Sequence, residues 1–279
     1  IEISDTANQG IIKAGKSVFH LNMLPAADYP PNPTPKEETS WTLTDLFLRD
    51  AIRRTTFATL PNDSRPFLSS ILFELEGNRF RAVATDVSRL AVQEGTLETT
   101  VENKISVMIP VRAMQEVFKL LSGTEDELVE IAVSERQIMF RCREANLYSR
   151  LITGQFPQYE QVIPKSSATT VIIDKNDLAS ALDRVSLFVS SIRMTLSQGG
   201  VHINATGPEV GDAYEEIEAS VEGPELEIGF NAKFLIDFLK ATECETVRIR
   251  FNGPRTPVLM DAEDDEKYLY VVMPLLLSE

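Results

Sequence analysis

Residues 84–91 read Ala-Thr-Asp-Val-Ser-Arg-Leu-Ala and place an acid, a hydroxyl and a guanidinium within four positions, Asp86, Ser88 and Arg89. Such a group is raw material for nucleophilic catalysis, in which a serine attacks and a neighbouring base takes its proton. The base is what the sequence withholds. His20 and His202 are the only histidines, and neither lies near Ser88 along the chain. There is no nucleophile elbow, phosphate loop or metal-ligand spacing. Acidic neighbours such as Glu215-Glu216 could be imagined as glycosidase carboxylates, but on a chain of net charge −15 they read as solvated acid. Cys142 and Cys244 stand about a hundred positions apart, which fits buried thiols in a reducing compartment rather than a disulfide framework or a zinc site. No catalytic residue, metal or cofactor is therefore expected. The other reading open to the polar turn is the rim of something that binds.

The elements that must carry this turn follow from length and pattern. A chain of 279 residues, 43% of them hydrophobic, has material for about two packed domains. No apolar run approaches the ~18 residues of a membrane helix, and no signal peptide is expected. Ile1-Glu2-Ile3 reads as the middle of a strand, so the chain is expected to be a fragment of something longer.

The sequence repeats. Residues 71–85, "ILFELEGNRFRAVAT", align with 192–206, "IRMTLSQGGVHINAT", at a constant offset of 121, each reading as a hairpin that ends in Ala-Thr. The same offset lays "PVRAMQEVFKL" (110–120) on "NAKFLIDFLKA" (231–241). Arg112, Glu116 and Lys119 then fall on Lys233, Asp237 and Lys240, each trio on one helix face with apolar residues opposite. Two more helices are expected, over 44–58 with Thr42 or Thr44 as cap and over 177–189 with Asp174 or Asn176 as cap. "YSRLITGQFP" (148–157), "YLYVVMP" (268–274) and "FHLNMLPAADYP" (19–30) echo one another as unit ends. The proline-rich "YPPNPTPKEETS" (29–40) reads as a linker, and "PQYEQVIPKSSATT" (157–170) as a second boundary. The class is α+β, with repeated domains of two helices each packed on antiparallel strands.

Charge is unevenly placed. The four helices together sum to +3, which leaves −18 for strands and loops. A mildly basic helical surface on a very acidic body suits sequence-blind contact with phosphates. Ordinary solvated helix faces are the alternative.

Six segments recur in an order shared with one family: Ala-Thr-Asp-x-x-Arg-Leu-Ala (84–91), "GQFPQYEQVIP" (154–164), "EVGDAYEEIEA" (209–219), "EIGFNAKFLIDFLKA" (227–241), "TPVLM" (256–260) and "YVVMP" (270–274). Together they resemble the bacterial DNA polymerase III beta subunits, the processivity sliding clamps, over essentially the whole chain. The resemblance implies a DNA-clamp fold, with 1–36 the tail of a first domain, 37–163 a second and 164–279 a third. It implies a homodimeric ring when full length, helices inside and sheets outside, closed around double-stranded DNA without sequence preference. A chain lacking most of one domain is expected not to close that ring alone.

Two sets of site residues follow from the resemblance. Arg49, Arg53, Arg65, Arg112, Lys119, Lys233 and Lys240 would face DNA, with plain surface solubility as the alternative for each. A groove for short linear motifs of the DNA polymerase III alpha subunit, the clamp loader and other clamp-binding proteins would comprise Leu68, Thr85, Val87, Ser88, Arg89, Leu90, Pro157, Gln161, Val162, Asn231, Phe234, Met273, Pro274 and Leu275. Thr85 and Leu90 would form its wall and Arg89 a polar contact at its rim. The setting implied is cytoplasmic and nucleoid-associated, with no membrane.

The chain departs from the family in three places. Val87-Ser88 stands where Gly-His is usual, Leu276 where the tail usually has arginine, and "VSSIRM" (189–194) is about four residues short. The competing function is an acidic peptide-binding scaffold that does not encircle DNA. The two readings divide on whether the trios 112/116/119 and 233/237/240 share one surface.

Overall fold

The computed structural model describes residues 2–6, 9–29, 39–187, 189–207 and 211–276. Most of the proline-rich linker, residues 209–210 of the third shared segment and the last three residues of the tail lie outside them. Residues 1–36 and 37–279 form two compact units. The smaller is an antiparallel meander of β1 (Glu2–Thr6), β2 (Gln9–Ala14) and β3 (Ser17–Asn22), followed by a 3₁₀ turn at Ala26–Asp28. Val18, Phe19 and Leu21 of β3 are exposed.

The larger unit repeats one plan. Its first half runs β4 (Thr39–Thr44), α1 (Asp45–Thr56), β5 (Ser70–Thr85), β6 (Arg89–Pro110), α2 (Val111–Leu120), β7 (Leu128–Val133), β8 (Gln137–Cys142) and β9 (Ala145–Arg150). The second runs β10 (Thr169–Asp174), α3 (Lys175–Val185), β11 (Ser191–Ser197), β12 (Gly200–Gly207), β13 (Gly211–Ile217), β14 (Ala219–Glu222), β15 (Leu226–Asn231), α4 (Ala232–Ala241), β16 (Thr246–Phe251), β17 (Val258–Ala262) and β18 (Asp265–Val272). The class is α+β.

The expected periodicities hold because each helix has one apolar stripe, and α1, α3 and α4 also have a side-chain N-cap. Thr44 Oγ1 accepts from Phe47 N at 3.3 Å, and the Asp174 carboxylate accepts from Asn176 N and Asp177 N, so the nearer candidate closes α1 and the earlier one α3. In α2, Val111, Met114 and Val117 are buried while Arg112, Glu116 and Lys119 are exposed. In α4 the buried set is Ala232, Leu235, Ile236, Phe238, Leu239 and Ala241.

The offset of 121 survives in hydrogen bonding. Ser70 pairs with Pro110, and Ser191 with Asn231. The two halves differ between these anchors. The expected hairpin at 71–85 is one strand, β5, whose arms 70–75 and 79–85 pair with separate arms of β6. The backbone turns at Gly77, where φ is 62°, without leaving the ladder. In the second half the chain leaves it after Ser197 and returns at Gly200, giving β11 and β12.

β4, β7, β8 and β9 form a four-stranded sheet, and β13, β12, β11 and β15 another. The counterpart of the first, β10-β16-β17-β18, does not end at β18. It continues into β6 and β5, making a seven-stranded sheet with β14 on its other edge. β18 pairs with β6 from Tyr268↔Gln93 to Val272↔Arg89. The seam also holds side chains: Tyr268 Oη donates to Arg54 O of α1 at 3.0 Å, and Arg54 reaches Asp265 at 2.6 Å and lies over the Tyr268 ring. Phe238 stacks on both Tyr268 and Tyr270. α1 packs on α2 and on α4, and α3 on α4, so the helices form one row in the order α2, α1, α4, α3.

Cys142 belongs to this core, and burial pushes its thiol up to about 11. Its thiolate is scarce at pH 8. Native protein treated there with iodoacetamide should carry no label at Cys142, and protein treated in denaturant should carry it fully, as read by peptide mass.

Candidate functional site

The turn at 85–89 is tied from every side. Thr85 Oγ1 donates to Arg89 O (2.7 Å) and accepts from Val87 N (3.1 Å). Asp86 Oδ1 accepts from Ser88 N (3.0 Å) and Arg89 N (2.9 Å), and Asp86 N donates to Arg89 O (3.2 Å). This web holds Val87 at φ 79°, a left-handed conformation that a β-branched residue adopts only at a cost on the order of 1–3 kcal/mol. Met273 N donates to Ser88 O at 2.8 Å, so the turn is fastened to the segment that leaves β18.

Beside this turn lies a cleft of about 210 Å³. Thr85, Val87, Arg89 and Leu90 line it from the first half, Val271 and Met273 from the second, and Pro157, Gln158, Tyr159 and Val162 from the connector, with Phe67 beside them. Val87, Val162 and Met273 are among the exposed large apolar side chains of the protein, 59%, 47% and 39% accessible, and all three border this one cleft.

Seven of the expected groove residues thus come together. The rest do not line it. Leu68 is fully buried core. Asn231 caps α4, accepting from Lys233 N at 3.0 Å. Gln161 is exposed and bonds Gln158. Ser88 contributes its carbonyl to Met273. Leu275 donates from its backbone to Gly229 O (2.8 Å) and borders a second hollow with Leu276, Ser191 and Arg193; Pro274 lies between the two.

Arg89 differs most from expectation. It lines the cleft, but its guanidinium is not a rim contact, and the arginine is only 7% exposed. It bonds Asp86 (2.8 Å), Asp237 of α4 (2.6 Å) and Phe57 O at the end of α1 (2.6 Å), and it lies over the rings of Phe57 and Phe234. A buried guanidinium needs several acceptors, and here the turn, the end of α1 and α4 together supply them. Phe234 therefore serves the cleft indirectly, as one ring of this clamp.

Sequence reasoning missed Phe67, Gln158, Tyr159 and Val271. Tyr159 is the informative omission. Its hydroxyl donates to Glu74 Oε2 (2.5 Å), Arg81 lies over its ring, and Arg81 also pairs with Glu74 (3.3 Å) and Glu160 (2.5 Å). Burial pushes the Tyr159 phenol well above its ordinary range, while the Arg81 hydrogen bond holds Glu160 below the usual carboxylate range. This network pins the connector to β5 and so fixes one wall. The only signal in the sequence was a tyrosine between Pro157 and Glu160.

The basic candidates are spread along the helix row. Arg112 and Lys119 on α2 and Lys233 and Lys240 on α4 are exposed, on the side of the helices away from the strands they pack against. Most already have partners: Arg49 Nη1 bonds Ser122 O (3.1 Å), Arg53 pairs with Asp50 (3.0 Å) and Glu243 (2.6 Å), and Arg65 with Asp63 (3.0 Å). The Arg65 hydrogen bond holds the Asp63 carboxyl down at about 2. Arg112 touches Asn62 at 3.2 Å, Lys119 pairs with Glu116 and Lys233 with Asp237, both at 2.7 Å. Lys240 has no ion-pair partner among the described residues. The two trios are not equivalent, because Asp237 is drawn inward by Arg89 while Glu116 stays at the surface.

The comparisons with known proteins agree with this architecture. The family described as "DNA polymerase III beta subunit, central domain" matches residues 42–158, and the one described as its C-terminal domain matches 160–276. A beta sliding clamp of Pseudomonas putida is 34% identical over 99% of this chain and 76% of its own length. That of Bacillus subtilis is 31% identical over 95% and 72%. Among solved structures, the Bacillus subtilis DNA polymerase sliding clamp superposes with a TM-score of 0.93 at 30% identity, over 99% of this chain and 74% of that one. A DNA polymerase III subunit beta of Pseudomonas aeruginosa, solved bound to griselimycin, gives 0.92 at 32%, over 99% and 75%.

Replacing Arg89 by Met should lower stability by about 3 kcal/mol, because Asp86 would be left buried without its cation and Asp237 would keep only the exposed Lys233. Urea unfolding followed by the single tryptophan, Trp41, which is itself buried, reads this directly. Arg89→Lys should recover only part of the loss, since one ammonium cannot span three acceptors.

Proposed function

The chain belongs to the DNA polymerase III beta subunit family, the beta sliding clamps, and on that premise we propose that it is a processivity clamp that encircles duplex DNA and tethers a polymerase to it. The observation that carries the reading is the sheet that continues from one repeat into the next through β18 and β6, with helices α2, α1, α4 and α3 in one row. Units joined in this way build an arc, and a closed arc holds DNA by topology rather than by affinity.

The helix row fits a loose electrostatic lining. Its exposed pairs, such as Lys119–Glu116, are worth about 0–1 kcal/mol each and open readily to a passing phosphate. Lys240 and Arg112 need not give up an acidic partner first. Contacts of this kind release counterions and weaken with salt, which lets a ring slide. The domain division proposed remains 1–36, 37–163 and 164–279, and the clamp performs no chemistry of its own.

Ring closure calls for a second copy. β13 is an edge of its sheet, with Tyr214 exposed on it and Leu187 exposed at the end of α3. β18 meets the first half at the strand that corresponds to β13, so β3, which echoes β18 as a unit end and exposes Val18, Phe19 and Leu21, is the complement that a head-to-tail homodimer brings to it. The cleft at the seam would take short linear motifs of the polymerase alpha subunit and the clamp loader, burying their apolar side chains against Leu90, Val271 and Met273.

Full-length protein loaded onto nicked circular DNA should stay bound through gel filtration and be lost when the circle is linearised; retention indifferent to linearisation would leave the non-encircling scaffold as the better reading. The pair Leu90→Ala and Met273→Ala should weaken binding of polymerase-derived peptides by about tenfold or more without shortening residence on circles. In the full-length protein, Phe19→Asp with Leu21→Asp should convert dimer to monomer in light scattering.

A further inference from the structure

Val87 combines three properties found together nowhere else among the described residues. It is β-branched, it sits at φ 79°, and its side chain is exposed while lining an apolar cleft. Strain of this kind persists only where the surroundings over-determine the backbone, and here every amide from Asp86 to Arg89 has an acceptor within the turn. The side chain therefore cannot swing aside by relaxing the loop. The hydrogen bond from Met273 N to Ser88 O also fixes the separation between the turn and the segment carrying Met273, the flexible thioether beside it. One side of the cleft mouth is thus rigid and the other adaptable.

We propose that Val87 is a specificity-determining residue of this cleft, a fixed apolar post that favours a leucine-sized side chain of a bound linear peptide over an aromatic one. This rests on the peptide-binding reading given above. The isopropyl group occupies part of the mouth of a cleft of about 210 Å³, and it cannot retreat to admit a planar ring. Apolar pockets discriminate through single methylenes by roughly 10- to 200-fold, so removing the post has a measurable range.

The test uses two fluorescein-labelled hexapeptides, Gly-Ser-Leu-Leu-Gly-Ser and Gly-Ser-Leu-Phe-Gly-Ser, titrated by fluorescence polarisation against the unaltered protein, V87A and V87G. Both variants remove the γ-carbons, but only glycine relieves the left-handed backbone. The preference for the leucine peptide should fall by about tenfold or more in V87A and V87G alike, while the Tm rises only in V87G. An unchanged preference in both variants overturns the proposal. A change confined to V87G overturns it as well, since loop relaxation and not the side chain would then be responsible. Absence of binding by either peptide to any of the three proteins would instead defeat the peptide-cleft reading on which the proposal stands.

Discussion

β18 runs antiparallel to β6 over five residue pairs, so the last strand of the second repeat completes a sheet that starts in the first. The cleft depends on that pairing for its position. Leu90 and Val271 are register partners across the seam, and both line the cleft. The pairing also decides where Arg89 must go. Its backbone lies opposite Val272, and its side chain drops between α1 and α4, where Asp237, Phe57 O and two aromatic rings receive it. A charged group at a seam costs much to bury and discriminates strongly between correct and shifted pairings. One residue of slip would move Arg89 to the other face and strand its carboxylates.

The elements legible in the sequence are those set by near neighbours. Helices α2 and α4 follow from spacings of three and four, and the caps of α1 and α3 from Thr44 and Asp174. The offset of 121 holds down to individual ladder pairs. What was not legible depends on distant residues. Nothing near Arg89 in sequence announces Asp237, and nothing near Tyr159 announces Glu74. The hairpin expected at 71–85 failed for a related reason. Whether a Gly-Asn or a Gly-Gly step leaves a ladder is decided by the length of the partner strand, and β6 is long enough to follow both arms of β5. Of the residues expected at a groove, those of the turn and its strand line the cleft, whereas Leu68, Asn231 and Phe234 are engaged elsewhere.

Charge behaves differently on the two kinds of surface. Around the seam it is spent on holding structure, through Arg54 with Asp265, Arg81 with Glu74 and Arg89 with Asp86. On the helix row it sits in exposed pairs that exchange partners at little cost. A net charge of −15 therefore coexists with a helix row whose exposed bases are only lightly engaged, because the acid lies mostly elsewhere.

The shared sheet also bears on how such a chain can change over generations. An independent domain can be lost or shuffled without harm to its neighbour. Here, deletion of the second repeat would strip β6 of β18 and leave Arg89 facing no Asp237, damaging the repeat that remains. Insertion of a further copy carries no such penalty, since each new terminal strand finds an edge of the kind it was built to meet. Units whose last strand belongs to the preceding sheet can be duplicated but not excised.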